Sequence, residues 1–249
     1  EDGIFDIPPQ SGKNLKLSID IDLQEYGERL MANKIGAIVA IEPSTGEILA
    51  LVSSPSYDPS TLVGRSRGKN YAALNRNPYK PLYDRAIMAA YPPGSTFKPT
   101  QGLTFLQEGV ITPHTMYPCY HGFVSGRLRV GCHAHGSPLS LMPAIATSCN
   151  AYFCYGLKSM VDSRSKYKST AEAFDTWKDY MVSMGYGYRL GVDLPSESRG
   201  FIPNSNYYSK IYGEKRWRAL TIISIAIGQG EVLATPLQIA NLAATIANR

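Results

Sequence analysis

The sequence predicts an α/β fold of the α+β kind, in which an antiparallel sheet flanked by helices is followed by a helical lobe. Two observations lead to this prediction. Residues 36–42 and 47–53 are β-rich runs on either side of a Pro-Ser-Thr-Gly turn, which is the pattern of a hairpin. From residue 95 onward, helical periodicity dominates. With 249 residues, of which 44% are hydrophobic, the chain can bury a large core.

The segments around the hairpin are predicted as follows. Alternating apolar residues at 15–19 predict a strand, and Asp20 or Asp22 is placed to cap a helix that runs to about Asn33. Residues 54–94 are rich in Pro, Asn, Tyr and Arg, and we interpret them as a long irregular connection.

Residues 95–249 are expected to form the mainly helical lobe, interrupted by a loop at 113–150 that contains cysteines and histidines. Residues 158–180 begin polar and become an amphipathic helix. Thr235-Pro236 opens the last helix, with a capping threonine and proline at the first helical position. Because a two-stranded hairpin is marginal by itself, the central sheet begun at 36–53 is expected to be incomplete in this chain.

The charge pattern excludes some classes of partner. The formal net charge of +5 is mild, and no nucleic-acid-binding motif is present, so no nucleic-acid partner is expected. No run of 18 apolar residues occurs, so no membrane span is predicted. Two basic clusters are compatible either with solvated loops or with contact to an anionic lipid or glycan surface. They are Arg164, Lys166 and Lys168, and Lys210, Lys215, Arg216 and Arg218.

A serine and a lysine three residues apart form the strongest candidate for chemistry. The S-x-x-K spacing occurs at Ser66, Ser95, Ser163 and Ser165, so the spacing alone is weak evidence. Only Ser95 follows a Pro-Pro-Gly turn and precedes an apolar helix that can bury its lysine, Lys98. Residues three apart share a helix face, and a buried neutral lysine is a base able to activate a serine hydroxyl.

A second candidate element is Ser148-Cys149-Asn150, which precedes an apolar helix and is the sole S-x-N triplet in the sequence. A serine hydroxyl can pass protons, and an asparagine amide can both donate and accept hydrogen bonds. The structural alternative is that Ser148 only caps the helix that follows.

The four cysteines all lie between Cys119 and Cys154, with histidines among them. Three thiolates and one imidazole suit tetrahedral zinc. The candidate structural zinc site consists of Cys119, Cys132, His135 and Cys149. A Cys119–Cys132 disulfide and free thiols remain alternatives, and His133 is an alternative to His135. Cys154 is interpreted as a small buried hydrophobe.

Together with these motifs, longer segments resemble the class B penicillin-binding proteins, in particular the elongation-specific group called penicillin-binding protein 2. The resemblance covers nearly the whole chain and implies the penicillin-binding, β-lactamase-like transpeptidase fold. Its segments are LSIDIDLQ (17–24), GAIVAIEPSTGEILALVSSPSYDP (36–59), RAIMAAYPPGSTFKP (85–99), SCNAYF (148–153), GVDLPSE (191–197) and IGQGEVLATPLQIANLAATIAN (227–248).

The resemblance implies a peptidoglycan D,D-transpeptidase that works through an acyl-serine intermediate and needs no cofactor for catalysis. Ser95 would attack the penultimate D-alanine carbonyl of a stem peptide, and Lys98 would deprotonate it. Ser148 would pass the proton to the leaving amine, and Asn150 would hold the lysine and the substrate amide. β-Lactam antibiotics would acylate the same serine. Some relatives hold a metal beside the second motif.

One motif of the family is not found. No K-T-G or K-S-G follows Ser148, so the chain is expected to stop before the third motif and to be impaired as an enzyme. The resemblance also implies an N-terminal helix, absent from this chain, that anchors a periplasmic domain to the bacterial inner membrane. The implied partners are stem peptides, β-lactams, a membrane-bound glycosyltransferase and elongation-complex proteins.

Three rival functions share part of this pattern. A β-lactamase is disfavoured because the sequence lacks an E-x-x-L-N loop and because S-C-N differs from the S-x-V of class D enzymes. A non-catalytic β-lactam sensor uses the same acylation, but the match over residues 1–59 argues against it. A cell-wall scaffold role is compatible with being an enzyme.

Overall fold

The computed structural model describes residue 7 and residues 10–248, and the chain folds as a small antiparallel hairpin beside a larger helical body. The helices are α1 Ile21–Leu30, α2 Arg67–Arg76, α3 Lys98–Gln107, α4 Leu141–Ala146, α5 Asn150–Val161, α6 Thr170–Ser183, α7 Ser205–Tyr212 and α8 Pro236–Asn248. The strands are β1 Gly36–Ile41, β2 Ile48–Ser54, β3 Gly122–Ser125 and β4 Leu128–Gly131. Short 3-10 helices cover Pro59–Leu62, Gly94–Phe97 and Ala219–Ile227.

The predicted hairpin is confirmed. β1 pairs antiparallel with β2 from Gly36 opposite Ser54 onward, with a register shift after Ala40. α1 lies against β2 and begins where predicted, because the Asp20 carboxylate accepts a hydrogen bond from the Leu23 N–H at 3.0 Å.

The core of the helical body is built around α5. Side chains along this helix are fully buried, among them Tyr152, Phe153 and Leu157. Gly156 lets α3 approach closely, since a Cβ at this position would lie 2.4 Å from the ring of Phe105. Burial of each large apolar side chain stabilises the fold by roughly 1.5–3 kcal/mol, so this packing holds the helical body together.

The last helix begins with the predicted cap. The Thr235 hydroxyl accepts a hydrogen bond from the Gln238 N–H at 3.1 Å, and the Gln238 side chain accepts from the Thr235 N–H at 3.0 Å. No helix among residues 10–248 is both long enough and apolar enough to cross a membrane.

Three sequence-based expectations need correction. Residues 15–19 form no strand, and Leu15 and Leu17 remain largely exposed because no neighbouring strand pairs with them. The connection 54–94 contains α2, which has no buried residue and therefore no apolar periodicity by which to predict it. Within the loop 113–150, β3 and β4 form a second hairpin through four paired positions.

Candidate active site and candidate metal centre

Ser95 lies in a tight turn that is hydrogen-bonded to a distant segment of the backbone. The turn is the 3-10 helix Gly94–Phe97, which runs directly into α3. The Gly94 N–H donates to the Gly228 carbonyl at 2.8 Å. Gly228 has a φ of +67°, and a Cβ there would lie 2.3 Å from the Gly94 oxygen and 2.7 Å from Phe97 Cβ. Only glycine therefore allows this approach.

Aromatic packing supports the turn from beneath. Phe97 is fully buried and meets Tyr186 edge to face with ring centroids 5.2 Å apart, and Trp177 at 6.3 Å. Such edge-to-face pairs add about 0.5–1.5 kcal/mol each beyond the area that they bury. The buried aromatic packing around Phe97 therefore holds the turn that carries Ser95 in place.

Lys98 is buried at the start of α3, with 1% of its surface exposed. Its Nζ donates to the Ser148 carbonyl at 2.6 Å, to Ser148 Oγ at 2.8 Å and to Asn150 Oδ1 at 2.6 Å. Nζ also lies 5.8 Å from the centre of the Phe153 ring. Burial lowers the pKa of Lys98, and the nearby cysteine thiols oppose this shift in part. The environment therefore favours the neutral amine more than water does.

Ser148 connects the lysine with the predicted nucleophile. Its hydroxyl lies 2.8 Å from Ser95 Oγ and 2.8 Å from Lys98 Nζ. Ser148 is not the helix cap that was considered as the structural alternative. Cys149 occupies the N-cap of α5, and its Sγ accepts from the Tyr152 N–H at 3.4 Å. The Ser148 side chain is thus left available for contacts with the other site residues.

Two hydrogen bonds orient the Asn150 side chain, which accepts in one of them and donates in the other. Its Oδ1 accepts from Lys98, and its Nδ2 donates to the Gly131 carbonyl at 2.7 Å. Its backbone N–H donates to Cys132 Sγ at 3.1 Å. The end of β4 and the cysteine that follows it therefore set both the backbone and the amide of Asn150.

The structure brings all four predicted residues together, with one change in connectivity. The sequence spacing suggested a direct contact between Lys98 and Ser95. The three hydrogen bonds of Lys98 go to Ser148 and Asn150 instead, which uses every donor of an ammonium group. Ser148 Oγ lies between the two, so Ser95, Ser148 and Lys98 form a continuous hydrogen-bonded chain.

The second predicted cluster also assembles. Sulfur atoms of Cys119, Cys132 and Cys149 and a ring nitrogen of His135 all lie within 4.8 Å of one another. All four cysteines of the chain are free thiols, so the structure does not contain the alternative Cys119–Cys132 disulfide. His133, the alternative ligand, is exposed, and Cys154 is fully buried in the core.

The chemistry of this cluster fits a tetrahedral thiophilic ion. His135 Nδ1 bonds the Gly136 carbonyl at 2.7 Å, whereas its Nε2 is buried and has no hydrogen-bond partner among the described residues. A buried nitrogen without a partner is costly unless a ligand satisfies it. Three sulfurs and one nitrogen are a donor set that zinc prefers, and the hydrogen bond at Nδ1 leaves Nε2 free to bind a ligand.

Sequence reasoning missed two contributors to the site. Gly228 belongs to a Gly-x-Gly stretch after an apolar run, but nothing in that pattern indicates contact with the turn at Gly94. The Gly131 carbonyl, which orients Asn150, carries no side-chain signal at all. Both contributions come from the backbone of distant segments.

The fold and the site are those expected of a serine acyl-enzyme protein, because a buried lysine, a second serine and an asparagine lie around the candidate nucleophile, Ser95. A family model described as the penicillin binding protein transpeptidase domain matches residues 36–249. The chain belongs to this family, and the resemblance to it is confirmed.

Similar proteins agree with this assignment. The peptidoglycan D,D-transpeptidase MrdA of Acinetobacter baumannii is 38% identical over 244 residues, which cover 96% of this chain and 34% of that protein. The structure of Pseudomonas aeruginosa PBP2 in complex with WCK 5153 superimposes with a TM-score of 0.81 at 34% identity, covering 93% of this chain and 51% of that one.

A third similar protein is Helicobacter pylori PBP2, solved in a complex with MreC. It has a TM-score of 0.76 at 31% identity, over 89% of this chain and 40% of that chain. The chain therefore spans about a third of the curated relative and about half or less of the solved proteins. The penicillin-binding transpeptidase fold predicted from the sequence is confirmed.

Proposed function

We propose that this chain carries the acyl-transfer site of a peptidoglycan D,D-transpeptidase, with Ser95 as the nucleophile. The hydrogen-bonded chain from Ser95 Oγ through Ser148 Oγ to buried Lys98 Nζ, with both steps at 2.8 Å, is the observation that carries this proposal. It offers the serine hydroxyl a route by which to lose its proton to a base.

The first half of the reaction forms the acyl-enzyme. Ser95 Oγ attacks the penultimate D-alanine carbonyl of a stem peptide, while its proton passes to Ser148 Oγ and the proton of Ser148 passes to Lys98. For this step Lys98 is in its neutral form, in which Nζ donates to the Ser148 carbonyl and Asn150 and accepts from Ser148 Oγ. The tetrahedral intermediate then collapses, the carbon–nitrogen bond breaks, and the proton returns through Ser148 to the leaving D-alanine amine. Proton transfer of this kind typically contributes about 10²–10⁴ in rate.

The second half releases the product. An amine from a neighbouring stem peptide attacks the Ser95 ester, loses a proton along the same chain, and forms the cross-link as Ser95 recovers its proton. Asn150 is held by the Gly131 carbonyl and by Lys98, and it would donate the second hydrogen of its side-chain amide to the backbone of the substrate. A β-lactam presents a strained amide to the same serine, and opening of its ring leaves Ser95 acylated.

The direct test is the intact mass of the chain after incubation with penicillin. One drug mass is expected on the wild type and none on Ser95→Ala. Ser66→Ala is the matched control, because it removes the serine of another S-x-x-K triplet and should leave the adduct unchanged. An adduct that survives Ser95→Ala would overturn the assignment of the nucleophile.

We also propose that Cys119, Cys132, His135 and Cys149 hold a structural zinc ion. Zinc would supply a fixed tetrahedral junction between the loop after β4 and the start of α5. Cys132 accepts from the N–H groups of Asn150 and Ala151 at 3.1 and 3.3 Å, and Cys149 separates Ser148 from Asn150. The cluster thereby sets the backbone on which two site residues are carried.

Metal content and thermal stability test this site together. Elemental analysis is expected to find one zinc per chain, and a chelator is expected to lower the Tm because metal binding is coupled to folding. Cys119→Ser should lose the metal, whereas Cys154→Ala, which removes a thiol outside the cluster, should retain it. Full metal loss in both variants, or in neither, contradicts the ligand set.

We further propose that the parent protein works in the periplasm, anchored to the inner membrane, with an elongation complex that includes a glycosyltransferase. The similarity to a PBP2 solved with MreC supports partners of this kind. Co-purification of the full-length parent with its membrane and complex tests the proposal, and recovery of all the parent in the cytoplasmic fraction contradicts it.

A further inference from the structure

The two basic clusters seen in the sequence converge on one cavity. They are separated by more than forty residues, yet Arg164 and Lys168 from the first and Lys215 and Arg218 from the second line the same cavity of about 270 Å³. Ligand pockets usually exceed roughly 300 Å³, so this cavity suits a small charged group rather than a large organic molecule. We name it the basic cavity.

No ion pair within the described residues neutralises the basic side chains of this cavity. Within residues 10–248, the ion pairs of the structure involve none of its four basic side chains, although like charges packed together repel one another. Glu172, the nearest acid along α6, directs one carboxylate oxygen to the Lys168 N–H at 2.7 Å as part of the helix cap. Convergent unpaired cations are the feature by which proteins recognise multiply charged anions.

Two of the cavity walls are pre-organised. The guanidinium of Arg164 is held by the Val161 carbonyl at 3.1 Å, by the Ser163 carbonyl at 3.2 Å and by the Thr170 hydroxyl. Trp217 is almost fully buried, and its indole N–H donates to Ser209 Oγ at 3.1 Å. Arg164 uses three of its five donors in these contacts and retains further donors for a ligand.

Lys215 adds a sign of local strain. Its φ of 61° lies in the left-handed region, which disfavours side chains other than glycine and asparagine. A glycine would fit this turn better, yet the chain places a cation here, in the lining of a cavity that has other cations around it. Strained backbone of this kind clusters at ligand-binding positions.

We propose that the basic cavity binds a phosphoryl-bearing anion. Two guanidinium groups match the oxygen geometry of phosphate, and two ammonium groups supply further charge. The cavity shares no residue with the serine–lysine site, so this proposal does not depend on the function proposed above. The source of the phosphoryl group is either a lipid headgroup or a free phosphoester.

The test follows the indole N–H signals of the two tryptophans by NMR while inorganic pyrophosphate is added to the whole chain. The Trp217 signal, assigned with Trp217→Phe, is expected to shift and saturate, whereas the Trp177 signal stays in place. Lys215→Ala/Arg218→Ala should weaken binding by at least about tenfold. The matched control Arg67→Ala/Lys69→Ala removes the same charge from α2 and should bind as wild type.

Vesicles of phosphatidylglycerol and of phosphatidylcholine distinguish the two sources. Phosphatidylglycerol binding that the cavity variant loses and the control keeps identifies a headgroup, and pyrophosphate binding without vesicle binding identifies a free phosphoester. Absence of any Trp217 shift with either probe overturns the proposal. Equal losses in the cavity and control variants overturn it as well, because they would indicate a general effect of charge.

Lys215→Gly separates binding from folding. Glycine relieves the left-handed backbone and removes the cation, so the Tm should not fall while pyrophosphate affinity does. A lowered Tm with unchanged affinity would show that Lys215 serves the fold alone and would contradict the proposal.

Discussion

Ser148 combines an unusual backbone conformation with two contacts to the same lysine. Its φ of 54° places a serine in the left-handed region, at a cost of roughly 1–2 kcal/mol. In this conformation its carbonyl and its hydroxyl both accept from Lys98 Nζ. The surrounding fold must stabilise this arrangement, because the isolated segment would not adopt it.

Replacement of Ser148 is expected to interrupt proton transfer from Ser95 to Lys98. Ser148→Ala removes the atom between Ser95 and Lys98 and should slow penicillin acylation by about 10²–10⁴, since Lys98 then has no hydrogen-bonded route to the nucleophile. The rate is measured by intact mass spectrometry of samples that are quenched at successive times after penicillin is added.

The neighbouring hydroxyl provides the control. Thr147 Oγ1 donates to the Pro143 carbonyl at 2.8 Å. Thr147→Ala therefore removes a hydroxyl without altering the hydrogen bonds that connect Ser95, Ser148 and Lys98. Its acylation rate should equal that of the wild type. If Ser148→Ala acylated as fast as Thr147→Ala, Lys98 would have to act on Ser95 without Ser148.

At the scale of elements, the turn before α3 depends on its contact with the segment that follows the 3-10 helix Ala219–Ile227. Gly228→Ala is expected to lower both the Tm and the acylation rate, because the added Cβ would lie 2.3 Å from the Gly94 oxygen and displace the turn that carries Ser95. Overpacking of this kind typically costs about 1–3 kcal/mol. Thermal melting and acylation kinetics measure the two effects.

Gly126→Ala is the control that measures the cost of left-handed backbone strain without a steric clash. Its φ of 61° is similar, but a Cβ there would meet nothing within 4 Å. Gly126→Ala should therefore cost only the roughly 1–2 kcal/mol of left-handed strain and leave acylation intact. An equal loss of acylation in both variants would disprove the specific contact at Gly228.

At the scale of the whole molecule, buried polar groups tie the helices together. Gln101 in α3 accepts from the Trp177 indole N–H of α6 at 2.7 Å and donates to the Ile225 carbonyl at 2.9 Å. Gln101→Met should leave both partners buried without a hydrogen bond, at about 1–3 kcal/mol for each group. Urea unfolding measures the loss, and the exposed Gln107→Met should show almost none.

The carboxylate of Glu108 makes the stability of the fold depend on pH. Burial raises the pKa of Glu108, but hydrogen bonds from Lys166, Tyr167 and Tyr180 together with the charge of Lys166 outweigh this effect and leave the pKa below its ordinary value. A depressed folded-state pKa gives a contribution that is present above the unfolded pKa and is lost as pH falls through the folded pKa.

Glu108→Gln is therefore expected to destabilise the chain at neutral pH, and the difference from wild type should shrink as the pH is lowered below the ordinary range for glutamate. Urea unfolding at several pH values measures this. Glu25→Gln, which alters an exposed pair with Arg29, should leave the profile unchanged. A constant difference at all pH values would contradict the role of the Glu108 charge.

The sequence by itself determined the features that depend on local pattern. The hairpin 36–53, the cap of α1 at Asp20 and the capping box at Thr235 all follow from side-chain types at short spacing. The residues of the candidate active site could also be chosen from the sequence, because Ser95 with Lys98 and Ser148 with Asn150 lie in short motifs of specific chemistry. The sequence also indicated the four side chains of the candidate metal centre, which the structure brings close together.

Only the tertiary structure decided how these pieces connect. It placed Ser148 between Ser95 and Lys98, brought Gly228 against the turn that carries Ser95, and gathered two distant basic clusters around one cavity. The helix α2 and the unpaired course of residues 15–19 also became evident only in the structure, because α2 buries no residue and no described strand pairs with residues 15–19. Periodicity and motifs report local preference, whereas contacts between distant backbone segments depend on how the whole core closes.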